Sequence, residues 1–332
     1  MPSDKTFVTE LATALGMVGG GGVDEVIAAR PEQFVNASAR DWERLAELRD
    51  RGDLAPEFLG SYLNGQAFLH SSDALRGRTP RVIEWTGGRR PPGDEVVPAD
   101  LRVDHVYLVS CKYVSRILHN PSPARLATGL LSHAPVDDLT DWFHRTAPVE
   151  YQALYDSCRA AVGDASLPER VADLTTAQRR ALAAALHAKW PAGAAAAYAE
   201  MCATVAGRTA AEWRSRVSER NAELMLWRLL RIGSTPYFVL GSSASGVTRL
   251  RIDTPWDWRQ HFVLRDLAIA AHAGGQALVS WSARYRDRST GEPGTVDGHV
   301  EIRWSHGRFG QPPEAKVYLD SPIAAVPGYH EI

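Results

Sequence analysis

Cysteine is scarce in this chain. Its three copies, Cys111, Cys158 and Cys202, are scattered and odd in number. They match no zinc-ligand spacing and do not make a disulfide framework, so a reducing, cytoplasmic setting is expected. Long apolar runs are lacking too. No stretch of about 18 apolar residues occurs, so no membrane span is expected. The N-terminal MPSDKTFVTELATALGMV carries acids and has no basic segment ahead of an apolar one, so it does not read as a secretory signal. A surplus of positive charge is also missing: 37 Lys and Arg face 39 Asp and Glu, a net charge of −2. That excludes a uniformly basic surface but not a basic cleft on a near-neutral protein. Three common chemistries lack their signatures. No G-x-S-x-G elbow supports acyl transfer. No dinucleotide fingerprint follows a strand. The four glycines Gly19–Gly22 lack the GK[ST] ending of a phosphate loop and read as a turn between helices.

What is present suits a folded protein of one large or two ordinary domains, with 332 residues, 45% apolar and 23% charged. Four segments are expected. Residues 1–55 are helical, with Phe7, Leu11, Leu15 and Val18 at helical spacing and Ser38 as the N-cap of a helix that presents Trp42, Leu45 and Leu48. Residues 56–135 are mixed, with a helix over Pro56–Arg76 and strands over Thr79–Gly87 and Val103–Val109. Residues 136–232 form a helical block rich in Ala, Leu, Glu and Arg. Residues 233–332 alternate in β fashion between Gly- and Pro-rich turns, completing the preceding core or contacting DNA. The fold class expected is α/β, a mixed central sheet with a helical insertion and a β-rich C-terminal part.

The stretch VPADLRVDHVYLVSCK, residues 97–112, carries the chemistry. Its β-branched and aromatic centre reads as a strand, with Asp100 ahead of it and Lys112 at its end. A carboxylate and an ammonium at the rim of a buried strand are costly to desolvate unless something uses them, and a divalent metal with a phosphate would. The bland alternative is a surface pair of Lys112 with Asp100 or Asp104. Asp100 followed by Ser110-x-Lys112 resembles the PD-(D/E)xK site of restriction-endonuclease-like nucleases. The stretches Asn64-Gly65-Gln66-Ala67-Phe68 and Lys112 to Leu126 are similar to the surroundings of that site. The resemblance spans under a quarter of the chain.

The resemblance implies a restriction-endonuclease-like core and magnesium or manganese held by Asp100, a second acid and the main-chain carbonyl of Cys111. It implies that Lys112 orients the attacking water. This sequence departs from the family at Ser110, where Asp or Glu is usual. Glu84 is the candidate for the missing carboxylate, with a solvated strand-face acid as the other reading. The function implied is a metal-dependent DNA endonuclease in restriction or anti-phage defence, acting as a homodimer. The alternatives are a catalytically silent nucleic-acid-binding protein of the same fold and a partner-binding subunit of a defence complex.

A second ExK occurs at Glu314 and Lys316, with Asp297 upstream. It lies close to the end of the chain, after a diproline, and is the lesser candidate. Arginines and tryptophans recur in the C-terminal third. Arg249 with Arg251, and Arg284 with Arg286, alternate on one face of their strands; Trp256 and Trp258 lie between them. With Arg89 and Arg90 they are the candidate contacts to phosphates and bases. Nearby acids allow the plainer reading of a solvated face with internal ion pairs.

Overall fold

The computed structural model describes residues 3–87, 99–113, 117–127, 141–187, 189–243, 246–272 and 275–332. In chain order the elements are α1 (Asp4–Val18), α2 (Val23–Ala29), β1 (Phe34–Val35), α3 (Ala39–Arg51), α4 (Ala55–His70), β2 (Ile83–Trp85), β3 (Leu101–Val103), β4 (Tyr107–Tyr113), β5 (Ile117–His119), α5 (Pro123–Ala127), α6 (Trp142–Thr146), α7 (Pro148–Val162), α8 (Thr176–Ala185), α9 (Ala194–Arg216), α10 (Ala222–Leu229), β6 (Tyr237–Ser243), β7 (Gly246–Ile252), α11 (Pro255–His261), β8 (Phe262–His272), β9 (Ala277–Asp287), β10 (Pro293–Arg303), β11 (Glu314–Leu319) and β12 (Tyr329–Glu331). No single helix among the described residues is long and apolar enough to cross a membrane.

These elements divide between two units, each discontinuous in sequence. The first comprises Met1–Ser115, Arg231–Gln260 and Ile323–Ile332; the second comprises Arg116–Leu230 and His261–Pro322. The four consecutive segments read from the sequence are therefore redistributed. Residues 1–55 belong with the core that follows them, and the β-rich residues 233–332 are shared between the units. The helical block is not a domain of its own. Its helices have apolar faces that need a cover, and strands β9 and β10 supply one, with Ala277 and Ile302 buried among Tyr151, Leu154, Met201 and Val205.

The first unit is built on a seven-stranded mixed sheet in the order β1-β2-β3-β4-β6-β7-β12. Strand β2 runs antiparallel to β3, and β3 antiparallel to β4. Strand β4 runs parallel to β6, and β6 antiparallel to β7. The expected strand Val103–Val109 is in fact a hairpin. Asp104 and His105 both take positive φ, 50° and 59°, and Val106 N–H closes the turn on the Val103 carbonyl at 3.1 Å. Paired left-handed residues make a turn whose twist suits a hairpin, but Asp-His is not the Asn-Gly by which such turns are recognised. Asp104 is a turn acid: it accepts from Arg78 at 2.5 Å and from the Arg81 N–H at 2.7 Å.

Helices α1 and α4 cover one face of this sheet. Phe7, Leu11, Phe58 and Phe68 pack there with Ile83, Leu101, Val109 and Leu240. Ser38 caps α3 in a reciprocal box with Asp41, as its spacing implies. The glycine turn after α1 is held by the Tyr62 hydroxyl, which donates to the carbonyls of Gly20 and Gly21 at 3.2 and 2.8 Å. Where α1 crosses α4, Gly16 lies against the Tyr62 carbonyl and Gly65 against that of Thr13. A Cβ on either glycine would collide with backbone, which cannot move aside as a side-chain tip can. The second unit holds the other sheet, five antiparallel strands in the order β5-β11-β10-β9-β8.

The glycine crossing sets a stability expectation. Gly→Ala inside a helix ordinarily gains about 1 kcal/mol, whereas overpacking costs about 1–3 kcal/mol and more against rigid backbone. Gly16→Ala and Gly65→Ala should each lower unfolding stability by about 1–2 kcal/mol net, read by urea titration. Gly207→Ala on α9, where a Cβ meets nothing within 4 Å, should be neutral or stabilising.

Candidate active site

Strand β3 begins one residue after Asp100, and that residue is still in the ladder: its N–H donates to the Val109 carbonyl at 2.9 Å. Its carboxylate turns to β4, where Oδ2 accepts the Cys111 N–H at 2.7 Å and the Ser110 hydroxyl at 3.3 Å. Ser110 is fully buried. It therefore serves as an anchor for Asp100 and not as a stand-in acid. In an extended strand the N–H and C=O of one residue lie on the same edge, so the Cys111 carbonyl faces the Asp100 side as its N–H does. Opposite Lys112 on the parallel strand β6 is Gly241. A Cβ there would come within 3.0 Å of the Lys112 carbonyl oxygen and 3.1 Å of its Cβ, so a bare residue keeps room beside the lysine.

A fourth group completes the cluster, and it comes from α1. Glu10 is only 6% exposed. The Trp85 indole N–H donates to its Oε2 at 2.6 Å. Burial pushes the Glu10 carboxyl up to about 7; the Trp85 bond opposes this, the Asp100 charge adds to it, and the Lys112 charge works against it. Asp100 is pushed up as well, by burial first, against the pull of Lys112, the Cys111 N–H, Ser110 and Arg231. The Cys111 thiol, beside both acids, is raised well above its usual range by its burial and by their charge. The Lys112 charge is thus felt at Glu10, Asp100 and Cys111. Burial raises both carboxyls, and the Lys112 charge pulls each of them the other way.

Sequence reading overlooked Glu10. The signal was present: between Lys5 and Asp24 it is the lone charged residue, set in the otherwise apolar and small run of α1 and its glycine turn. A single carboxylate on a helix that is buried nearly all round is costly unless it has a use.

Glu84 is not brought to the site. It lies across from Arg102 in the β2–β3 register. Both Nε and Nη2 of Arg102 donate to it, and His105 Nδ1 lies 3.4 Å away. The guanidinium holds its carboxyl below the usual range. Its charge is spent on Arg102, so it does not supply the carboxylate that Ser110 lacks. Among the described residues no three His, Cys, Asp or Glu side chains gather as a metal-binding group. The site offers two carboxylates, the Cys111 carbonyl and the Lys112 ammonium.

The second ExK does not assemble. Glu314 pairs with Arg303 and accepts from the Ser305 hydroxyl, whereas Asp297 sits next to Gly298, which pairs with Leu319. Six residues of extended strand separate the two ends, roughly 20 Å. The nucleic-acid candidates are scattered in role. Arg249 Nε donates to Asn64 Oδ1 at 2.9 Å, and Asn64 in turn donates to Ser242 Oγ at 2.8 Å. Arg251 pairs with Asp253 at 3.2 Å. Arg284 pairs with Asp266 at 3.2 Å, and Arg286 Nε donates to the Gly291 carbonyl at 3.0 Å. Trp256 is 73% exposed, but Trp258 is wholly buried and has no face to offer a base. Arg89 and Arg90 lie outside the described residues.

Comparison with family models, with curated proteins and with solved structures found no match to the chain.

The Glu10 environment predicts a pH effect on stability. A carboxyl raised in the folded state stabilises fully below its unfolded value near 4.5 and loses that contribution as pH rises through about 7. Glu10→Gln removes the loss. Relative to wild type, the variant should gain up to about 3 kcal/mol between pH 5 and pH 8. Denaturant titrations at the two pH values check this; parallel curves would show that Glu10 is not held protonated.

Proposed function

We propose that the protein is a metal-dependent DNA endonuclease with a restriction-endonuclease-like core. The observation that carries this reading is Asp100 fixed ahead of β3 by Ser110 and the Cys111 N–H, with the charges of Glu10, Asp100 and Lys112 acting on one another. The strand order supports it. Strands β2, β3 and β4 form an antiparallel meander, β4 continues into a parallel neighbour β6, and β7 returns antiparallel. A mixed central sheet is what the resemblance of Asp100/Ser110/Lys112 implies.

The donor set fits magnesium or manganese. Two carboxylates and a main-chain carbonyl are hard oxygen ligands, and such ions keep several waters beside one or two protein acids. Bound at Glu10, Asp100 and the Cys111 carbonyl, such an ion would supply Lewis-acid activation of the phosphate and of water. The chain's own residues do the rest. Trp85 fixes one oxygen of Glu10, so the carboxylate has one orientation. Ser110 and the Cys111 N–H do the same for Asp100. Lys112 orients the attacking water and stabilises charge that develops on the phosphate. Because Glu10 must lose its proton to bind a cation, metal affinity rises as pH passes about 7.

Restriction or defence against phage is the setting that the resemblance implies, and a homodimer would give two sites for two strands. A second reading has its own observation. With Ser110 in the place of an acid and no third side-chain ligand among the described residues, weak metal binding would leave a nucleic-acid-binding protein that does not cut.

Cleavage of plasmid and single-stranded DNA with magnesium or manganese separates the two. Wild type should cut, while Lys112→Ala and Glu10→Gln should each be slower by about 10²-fold or more. Glu84→Gln and Lys316→Ala should stay within a few-fold of wild type. Loss of cutting on Lys316→Ala alone would move the site to the second unit. DNA binding without cutting under every metal would leave the silent protein.

A further inference from the structure

Strand β6 changes character halfway along. Tyr237, Phe238 and Leu240 are large and buried. From Gly241 the sequence reads GSSASG up to Gly246, with no large apolar side chain. Register is weakly specified in a stretch of glycine and small polar residues, because no apolar set holds it to one seat. Yet this half carries the pairing that matters to the site: Gly241 stands opposite Lys112, and Ser242 opposite Tyr113, on β4.

What seats it comes from α4. Asn64 is only 1% exposed and uses both ends of its amide. Its Nδ2 donates to Ser242 Oγ at 2.8 Å, and its Oδ1 accepts from Arg249 Nε, on β7, at 2.9 Å. The same arginine donates from Nη2 to the Leu63 carbonyl at 3.4 Å. One turn earlier on α4, a Cβ on Gly60 would lie 3.0 Å from Ser242 Oγ, so helix and strand come close just there. A buried amide engaged at both ends fixes one arrangement where small side chains alone would permit several. Side chains alternate along a strand, so Ser242 faces α4 while position 241 faces the other way, beside Lys112. The two acids lie outside this clamp: Asp100 is held by Ser110 and the Cys111 N–H, and Glu10 by Trp85.

We propose that Asn64 is a positioning residue for Lys112: by holding Ser242 it seats the glycine–serine half of β6 against β4, and so keeps the lysine in place. The inference rests on the nuclease reading above, and it gives a buried helix amide a part in the reaction without contact to the substrate.

Three variants test it. Asn64→Leu keeps the size of the side chain and removes both hydrogen bonds. Ser242→Ala removes the bond to β6 alone, and it decides the matter if the leucine variant does not fold. Asn64→Asp keeps both links, because the Ser242 hydroxyl and Arg249 can each donate to a carboxylate. Each is measured for kcat in DNA cleavage, for the magnesium concentration that gives half the maximal rate, and for amide hydrogen exchange in β4 and β6. The leucine and alanine variants should lose about 10-fold or more in kcat at an unchanged magnesium requirement. The amides of residues 111–113 and 241–242 should exchange faster in both. Asn64→Asp should keep most of the rate and the wild-type exchange. Folded leucine and alanine variants that cut at the wild-type rate overturn the inference and leave the nuclease reading untouched. So does an aspartate variant as slow as the leucine one. A magnesium requirement that rises as the rate falls also overturns it, since the acids are then disturbed too, and so does a slower variant whose β4 and β6 exchange as in wild type. If wild type cuts no DNA while exchange quickens in the leucine and alanine variants, the clamp on β6 stands and the nuclease reading is what fails.

Discussion

The close crossing of α1 and α4 is the constraint on which the first unit depends. Gly16 and Gly65 let two helix backbones touch, and that contact sets how near α1 lies to the sheet. Glu10 sits on α1 within two turns of Gly16. Its carboxylate reaches the Trp85 indole and the neighbourhood of Asp100 because the helix is seated at that height. Bulkier residues at the crossing would lift α1 and withdraw the acid. The packing of two glycines is therefore tied to the chemistry of a site several residues away.

The acids in the cluster are held by donors that differ in kind. Asp100 takes a main-chain N–H and a hydroxyl, both from β4, so its position is as rigid as the sheet. Glu10 takes one indole N–H and feels the charges of Asp100 and Lys112. Burial dominates both, and it favours the neutral form. Lys112 offsets this only in part.

The sequence made the Asp100–Ser110–Lys112 spacing visible because all three lie in one hairpin, where chain distance and spatial distance agree. The helices α1, α3 and α4 were visible from their apolar spacing and from Ser38 as a cap. Glu10 was not, because its neighbours in space are about 75 and 90 residues away in sequence and nothing local names them. Glu84 was misassigned for the converse reason. It has the correct chemistry on the adjacent strand, but the cross-strand partner Arg102 claims it, and a partner set by register cannot be read until the register is known. The rows of arginine show the same limit. Alternation places Arg249 and Arg251 on one face, yet their uses are decided by Asn64 and by Asp253, which alternation does not reveal.

Inserting residues 116–230 between β4 and β6 has a consequence for biosynthesis. The long side of β4 has no strand beside it until β6 emerges from the ribosome. At translation speeds of roughly 5–20 residues per second, that edge waits on the order of ten seconds. Through that interval it exposes unpaired N–H and C=O groups to every other nascent chain. Holding the lysine-bearing strand open in this way makes the chain's own synthesis the most aggregation-exposed stage of its life, and a chaperone that shields nascent β-edges would matter most there.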